Sequence, residues 1–139
     1  TVPDGFQANV DDGAGASRLY LGISPSPGSL QQHPCSDHEF ALDGPCKERS
    51  LDADTRLITR GPAASGPVTS TVVVIVHRDG SGVDVGNDNA TWPWADPPAG
   101  TVVTAEEKRL MSTPSVNRPS PVYSVAQLVE IARAVDAAR

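Results

Sequence analysis

Apolar positions along most of this chain recur at every second residue in short runs, and only the last segment switches to a helical period. In "RLYLGIS" (18–24), Leu19, Leu21 and Ile23 fall on one face, the pattern of a half-buried strand. "CKERSL" (46–51) and "TRLITR" (55–60) flank "DAD" and predict a hairpin. Leu57 and Thr59 take one face of it, and Arg56, Ile58 and Arg60 the other. "VTSTVVVIVHR" (68–78) is continuously apolar at its centre, as expected of a central strand covered on both faces. "DGSG" (79–82) is a tight-turn signal, and "VDVGN" (83–87) returns with Val83 and Val85 on one face.

The closing "YSVAQLVEIARAVDAAR" reads differently. Ser124 and Gln127 form a capping box, Tyr123 and Leu128 are spaced for a hydrophobic staple, and Val125, Leu128, Ala132 and Val135 make a stripe with Ile131 beside it. This predicts an amphipathic helix. Between these pieces, "PSPGSLQQHP" (25–34), "GPAASGP" (61–67) and "STPSVNRPSP" (112–121) read as loops or linkers, and "VVTAEEKRLM" (102–111) as a helical turn or two behind a Thr104 cap. The polar, Gly-rich residues 1–17 read as a flexible N-terminal arm. No internal repeat occurs. Strands followed by a terminal helix favour an α+β domain over residues 18–139: an antiparallel β meander of about five strands with one C-terminal helix packed on it.

Composition narrows the job. The chain has 139 residues, one domain's worth, with 38% hydrophobic and only 4% aromatic residues, so Val, Leu, Ile and Ala must make the core. Thirteen Pro and twelve Gly imply many turns. The net charge of −6, with scattered basic residues, argues against nucleic acid and against anionic lipid surfaces. The longest apolar run, "VVVIV" (72–76), is strand length and far short of a membrane span.

Chemistry concentrates in "CSDHEFALDGPC", which holds both cysteines, Cys35 and Cys46. A disulfide is the favoured reading over free thiols or a metal or redox site. His33, Cys35, His38 and Cys46 match no zinc-finger spacing, and the cysteines are too far apart for C-x-x-C. A bond closing a loop of this size adds roughly 3 kcal/mol and implies an oxidising compartment. His77 directly follows the central strand; with no nucleophile motif beside it, a solvated strand-end histidine is favoured over a catalytic base. Asp79, Asp84 and Asp88 lack the calcium-loop spacing and read as a turn Asp and solvated strand residues. No metal site, cofactor motif or phosphate loop is expected. Trp92 and Trp94, held by Pro93, are the candidate partner-binding platform, weighed equally against a role in capping the core.

"LDADTRLITR", "STVVVIVHRDGSGVDVGNDN" and "RPSPVYSVAQLVEIA", in this order behind the Cys pair, resemble extracytoplasmic domains of actinobacterial membrane-anchored proteins and lipoproteins. Those domains carry a "DGT-v-v" hairpin and then "RP-x-P-x-LT-x-x-QL-x-x-IA". The likeness spans roughly residues 18–135 in short motifs, with Tyr123-Ser124 where that pattern has Leu-Thr. Some such domains act as negative regulators of envelope-stress signalling, and no catalytic residues come with the resemblance. It implies a non-enzymatic extracytoplasmic sensor or regulatory domain, tethered through an N-terminal anchor outside this chain. The partner expected is another cell-envelope protein such as a sensor kinase. A lipoprotein binding a small molecule, glycan or lipid is the alternative.

Overall fold

The computed structural model describes residues 5–24, 35, 45–65, 67–91, 102, 104, 105, 115, 116 and 118–139. The strands are β1 (Gly5–Asp11), β2 (Ala16–Ser24), β3 (Cys46–Ser50), β4 (Thr55–Ser65), β5 (Val68–His77) and β6 (Gly82–Asp88). They form one antiparallel sheet in the order β1-β2-β6-β5-β4-β3. A two-residue pair, β7 (Ala90–Thr91) with β8 (Ser115–Val116), lies beyond it. Helix α1 (Val125–Ala138) packs on β5 and β6. The fold is the antiparallel α+β class expected, with six strands rather than five in the main sheet.

The extra strand is β1. Residues 5–11, expected to belong to a flexible arm, pair with β2 along their whole length, from Gly5 opposite Gly22 to Asp11 opposite Ala16. The "DDGAG" that suggested looseness is the hairpin turn. Asp11 Oδ1 accepts from the Gly13 N–H at 2.7 Å and Asp12 Oδ1 from the Ala14 N–H at 3.0 Å, while Gly13 and Gly15 take positive φ. A second difference lies at "GPAAS", expected to be loop. β4 continues through it to Ser65, its register shifting between Arg60 and Ala63. The extra residues of this bulge absorb Pro62, which has no N–H for a ladder.

Alternation places two sets of side chains on opposite faces. Leu57, Val73, Ile75, Val83 and Val85 point to the helix side and bury against Leu128 and Ala132 of α1, with Leu19, Leu21, Ile23, Tyr123, Val129, Ile131 and Val135 around them. Five gaps of about 4.8 Å make the sheet about 24 Å wide, whereas one helix is about 10 Å across. Among the described residues, α1 therefore covers the middle of the sheet and little covers its β1 side. The capping box is formed: the Ser124 hydroxyl accepts from the Gln127 N–H at 3.2 Å, and Gln127 Oε1 accepts from the Ser124 N–H at 2.8 Å.

Buried polar groups steer the chain into α1. Asn87, fully buried, donates through Nδ2 to the Arg18 carbonyl at 2.6 Å and accepts at Oδ1 from the Tyr123 N–H at 2.8 Å. The Ser17 hydroxyl accepts from the Val122 N–H. Asn89 holds the Thr69 N–H with its oxygen and donates to the Arg118 carbonyl. Arg118 grips both oxygens of Asp12, at 2.7 and 3.1 Å, and the Gly15 carbonyl. Residues 118–123 are thus pinned to the β1–β2 turn before the helix begins.

Candidate functional site

Four places carry chemistry: the two sheet edges, a histidine cluster under the end of α1, and the charged face opposite the helix. The β3 edge is protected. Cys35 and Cys46 form a disulfide with their Cα atoms 5.5 Å apart, and the Cys35 N–H donates to Glu48. Lys47, Glu48 and Arg49 place charge along that strand, a common guard against strand addition. Among the described residues, the β1 edge has no such guard. Gly5, Phe6, Gln7, Asn9 and Asp11 are exposed, Phe6 at 51%, and among the described residues no strand pairs with its outer side. Trp92 and Trp94, the platform expected from sequence, lie outside the described residues, as do His33 and His38.

His77 is not the solvated strand-end histidine expected. Its Nε2–H meets Asp136 of α1 at 2.8 and 3.0 Å, and Nδ1 lies 3.2 Å from the Thr55 hydroxyl. Asp136 also accepts from Arg139 at 2.7 Å. A hydroxyl and a carboxylate on opposite nitrogens of one imidazole is the arrangement a nucleophilic relay requires. Access is what it lacks. Thr55 is 7% exposed, and its hydroxyl also engages the Asp52 carboxylate. The Asp52 carboxyl is held below its ordinary value by the Asp54 N–H first, and also by the Thr55 hydroxyl and the nearby His77. Asp79 is held low by the Ser81 hydroxyl and N–H, which it accepts at 2.6 and 2.9 Å, in the turn role expected. The cluster works as a latch between the last turn of α1 and the end of β5.

The opposite face has a patterned floor. Tyr20 lies across Gly86, where an added Cβ would fall within the phenol ring, and the Asp84 carboxylate lies across Gly22 in the same way. Asp84 and Asp88 were both expected to be solvated. Asp88 is instead buried and paired with Arg18 at 2.7 Å, while Arg18 stacks on Tyr20 at 5.1 Å. Asp84 is half-buried beside Val74, and burial raises its carboxyl above the ordinary value. Burial likewise raises the Tyr20 phenol. Arg56 and Glu48 form an ion pair at 2.9 Å on the same face. Periodicity alone could not find these pairings, because Arg18 and Asp88 meet across 70 residues of sequence.

Among the described residues, no three His, Cys, Asp or Glu side chains are grouped to hold a metal ion, and no helix is long and apolar enough to cross a membrane. The disulfide is consistent with an extracytoplasmic location. No protein-family model, curated protein or solved structure matches this chain.

Proposed function

We propose that this is a non-enzymatic extracytoplasmic sensor or regulatory domain that binds another cell-envelope protein, taking an extended segment of that partner as a further strand on β1. The observation that carries this reading is the asymmetry of the two edges. β3 is stapled and charged, whereas β1, among the described residues, presents an unguarded strand with an exposed Phe6. Main-chain hydrogen bonds along such an edge supply affinity, and the alternate side chains Phe6, Ala8 and Val10 supply selectivity. The disulfide suits an oxidising compartment, and the motif order resembles envelope-anchored domains.

A photo-crosslinking residue at Gln7 tests this in the native host. The expected result is a crosslink to an envelope protein through an extracytoplasmic segment. It should be lost with Ala8→Lys in the same chain and absent when the crosslinker stands at exposed Arg133 on α1. Equal capture from Gln7 and Arg133, or capture unaffected by Ala8→Lys, would refute strand addition at β1.

A further inference from the structure

The outer edge of β1 is complementary to itself. In an antiparallel pairing about a two-fold axis normal to the sheet, paired residues must lie on the same face, so their numbers must sum to an even value. An axis through Ala8 uses all seven residues of the strand. It sets Ala8 against Ala8 of the second copy, Phe6 against Val10, Gln7 against Asn9 and Gly5 against Asp11. Apolar side chains meet on the helix-bearing face and amides meet on the other. The one charged residue of the strand, Asp11, faces glycine rather than another carboxylate. An axis through Gln7 or Asn9 shortens the ladder and breaks the Phe6–Val10 match.

The faces agree with this register. Phe6, Ala8 and Val10 lie on the same side as Leu19 and Leu21, the side that carries α1. Phe6 is half-exposed there because α1 rests on β5 and β6, away from the β1 margin. A two-fold normal to the sheet keeps both helices on one face and joins the two thinly covered margins between them. The exposed Phe6 of each copy then gains Val10 of the other as a cross-strand neighbour, a kind of pair that adds roughly 0.2–1 kcal/mol each. Inward charge, Lys or Pro would block such pairing, and β1 has none of these between Phe6 and Val10.

We infer that a second copy of this chain occupies the β1 edge, forming a two-fold dimer with one continuous twelve-stranded sheet. This rests on β1 alone; the second copy and an envelope partner's strand would take the same edge, so a chain engaged in one is closed to the other. The overall charge of −6 opposes association, so the dimer strengthens as salt screens it.

Sedimentation equilibrium across a concentration series is the first measurement. The mass should climb from 14.5 kDa toward twice that value, and further in higher salt. Ala8→Lys, which sets two ammonium groups face to face on the axis, should remain at the monomer mass with an unchanged circular dichroism spectrum. Ala8→Cys should form an intermolecular disulfide under mild oxidation, mapped by mass spectrometry to position 8 of both copies with the Cys35–Cys46 bond intact. Cysteine placed instead at exposed Arg133 should not crosslink. A monomer mass at every concentration and salt level, or no crosslink between the two copies of position 8 in a folded Ala8→Cys variant, overturns the dimer. The Gln7 crosslink to an envelope protein would survive that outcome, and loss of that crosslink would leave the dimer untouched.

Discussion

Replacing Asn87 with Ala tests how the helix is held to the sheet. The side chain is fully buried and makes two bonds to backbone: Nδ2 to the Arg18 carbonyl at 2.6 Å and Oδ1 from the Tyr123 N–H at 2.8 Å. A third, longer bond reaches the Ser17 hydroxyl at 3.3 Å. Alanine deletes all three and leaves an N–H beside the helix start without its acceptor. Each buried group so deprived costs about 1–3 kcal/mol. The Ser17 hydroxyl is discounted because it keeps the Val122 N–H. With the Arg18 carbonyl and the Tyr123 N–H both deprived, the expected loss is about 2–6 kcal/mol, set against a typical domain stability of about 5–15 kcal/mol. Urea denaturation followed by far-UV circular dichroism reads it directly, as a fall in midpoint at unchanged slope. Hydrogen exchange adds location: amides at the start of α1 should lose protection more than those in β4. Asn87→Asp is the informative partner. It can still accept from Tyr123 but cannot donate to Arg18, and it brings a buried negative charge, so it should be no more stable than the alanine variant. A change under about 0.5 kcal/mol for Asn87→Ala, the range of ordinary surface substitutions, would show that the linker finds its place without this clamp.

The same geometry sets the remaining expectations. Asp84→Asn should stabilise the protein at neutral pH: a raised carboxyl favours the fold below the unfolded value and loses that favour as pH rises through the folded one, so the amide removes a penalty present only when Asp84 is ionised. Solvent screening at a half-exposed group keeps the gain small. It should vanish below about pH 4, where the wild type is protonated, and a constant gain at all pH would refute the assignment. Asp52 and Asp79 have the opposite sign, so they contribute above their unfolded values and should drive loss of stability as pH falls through their folded ones, read as a falling urea midpoint in an acid titration series. His77→Ala should cost about 0.5–1.5 kcal/mol and speed hydrogen exchange in the last turn of α1 while sparing its first turn; uniform exchange along the helix would argue against a local latch. Reducing the Cys35–Cys46 bond, or replacing both cysteines with Ser, should lower stability by roughly 3 kcal/mol without unfolding β5 and β6, and equal stability before and after reduction would contradict this.

Strands β2 to β6 and the helix were legible because most pair a clear period with a clear stop. Val83 and Val85 alternate behind "DGSG", and Leu128 and Ala132 follow a capping box. β1 has the same period in Phe6, Ala8 and Val10, but Ala8 is a weak apolar marker and the flanking Gly and Asp residues dominate the window. The strand exists because β2 offers seven register partners, a tertiary cause that no local pattern displays. "GPAAS" was hidden by Pro62, which local rules assign to a loop and the bulge accommodates. The site chemistry was less accessible still. His77 meets Asp136 across 59 residues and Arg118 meets Asp12 across 106, so neither contact leaves a spacing to read.

These long-range polar contacts explain how so light a core holds a six-stranded sheet. With aromatics at 4%, the helix-side core is mainly branched aliphatic, and one helix cannot cover six strands. The fold compensates at three separate points. Asn87 and Arg118 fix the entry to α1, His77 and Asp136 fix its exit, and the disulfide ties the far edge at β3. Asn87, the His77–Asp136 contact and the disulfide act on the middle of the sheet or on the β3 side. On the other side, Arg118 holds the β1–β2 turn but not the outer edge of β1. That edge is anchored at its turn, paired on its inner side and, among the described residues, unpaired on its outer side. It can add a strand without disturbing the core, because none of the contacts that hold the helix passes through Phe6, Ala8 or Val10.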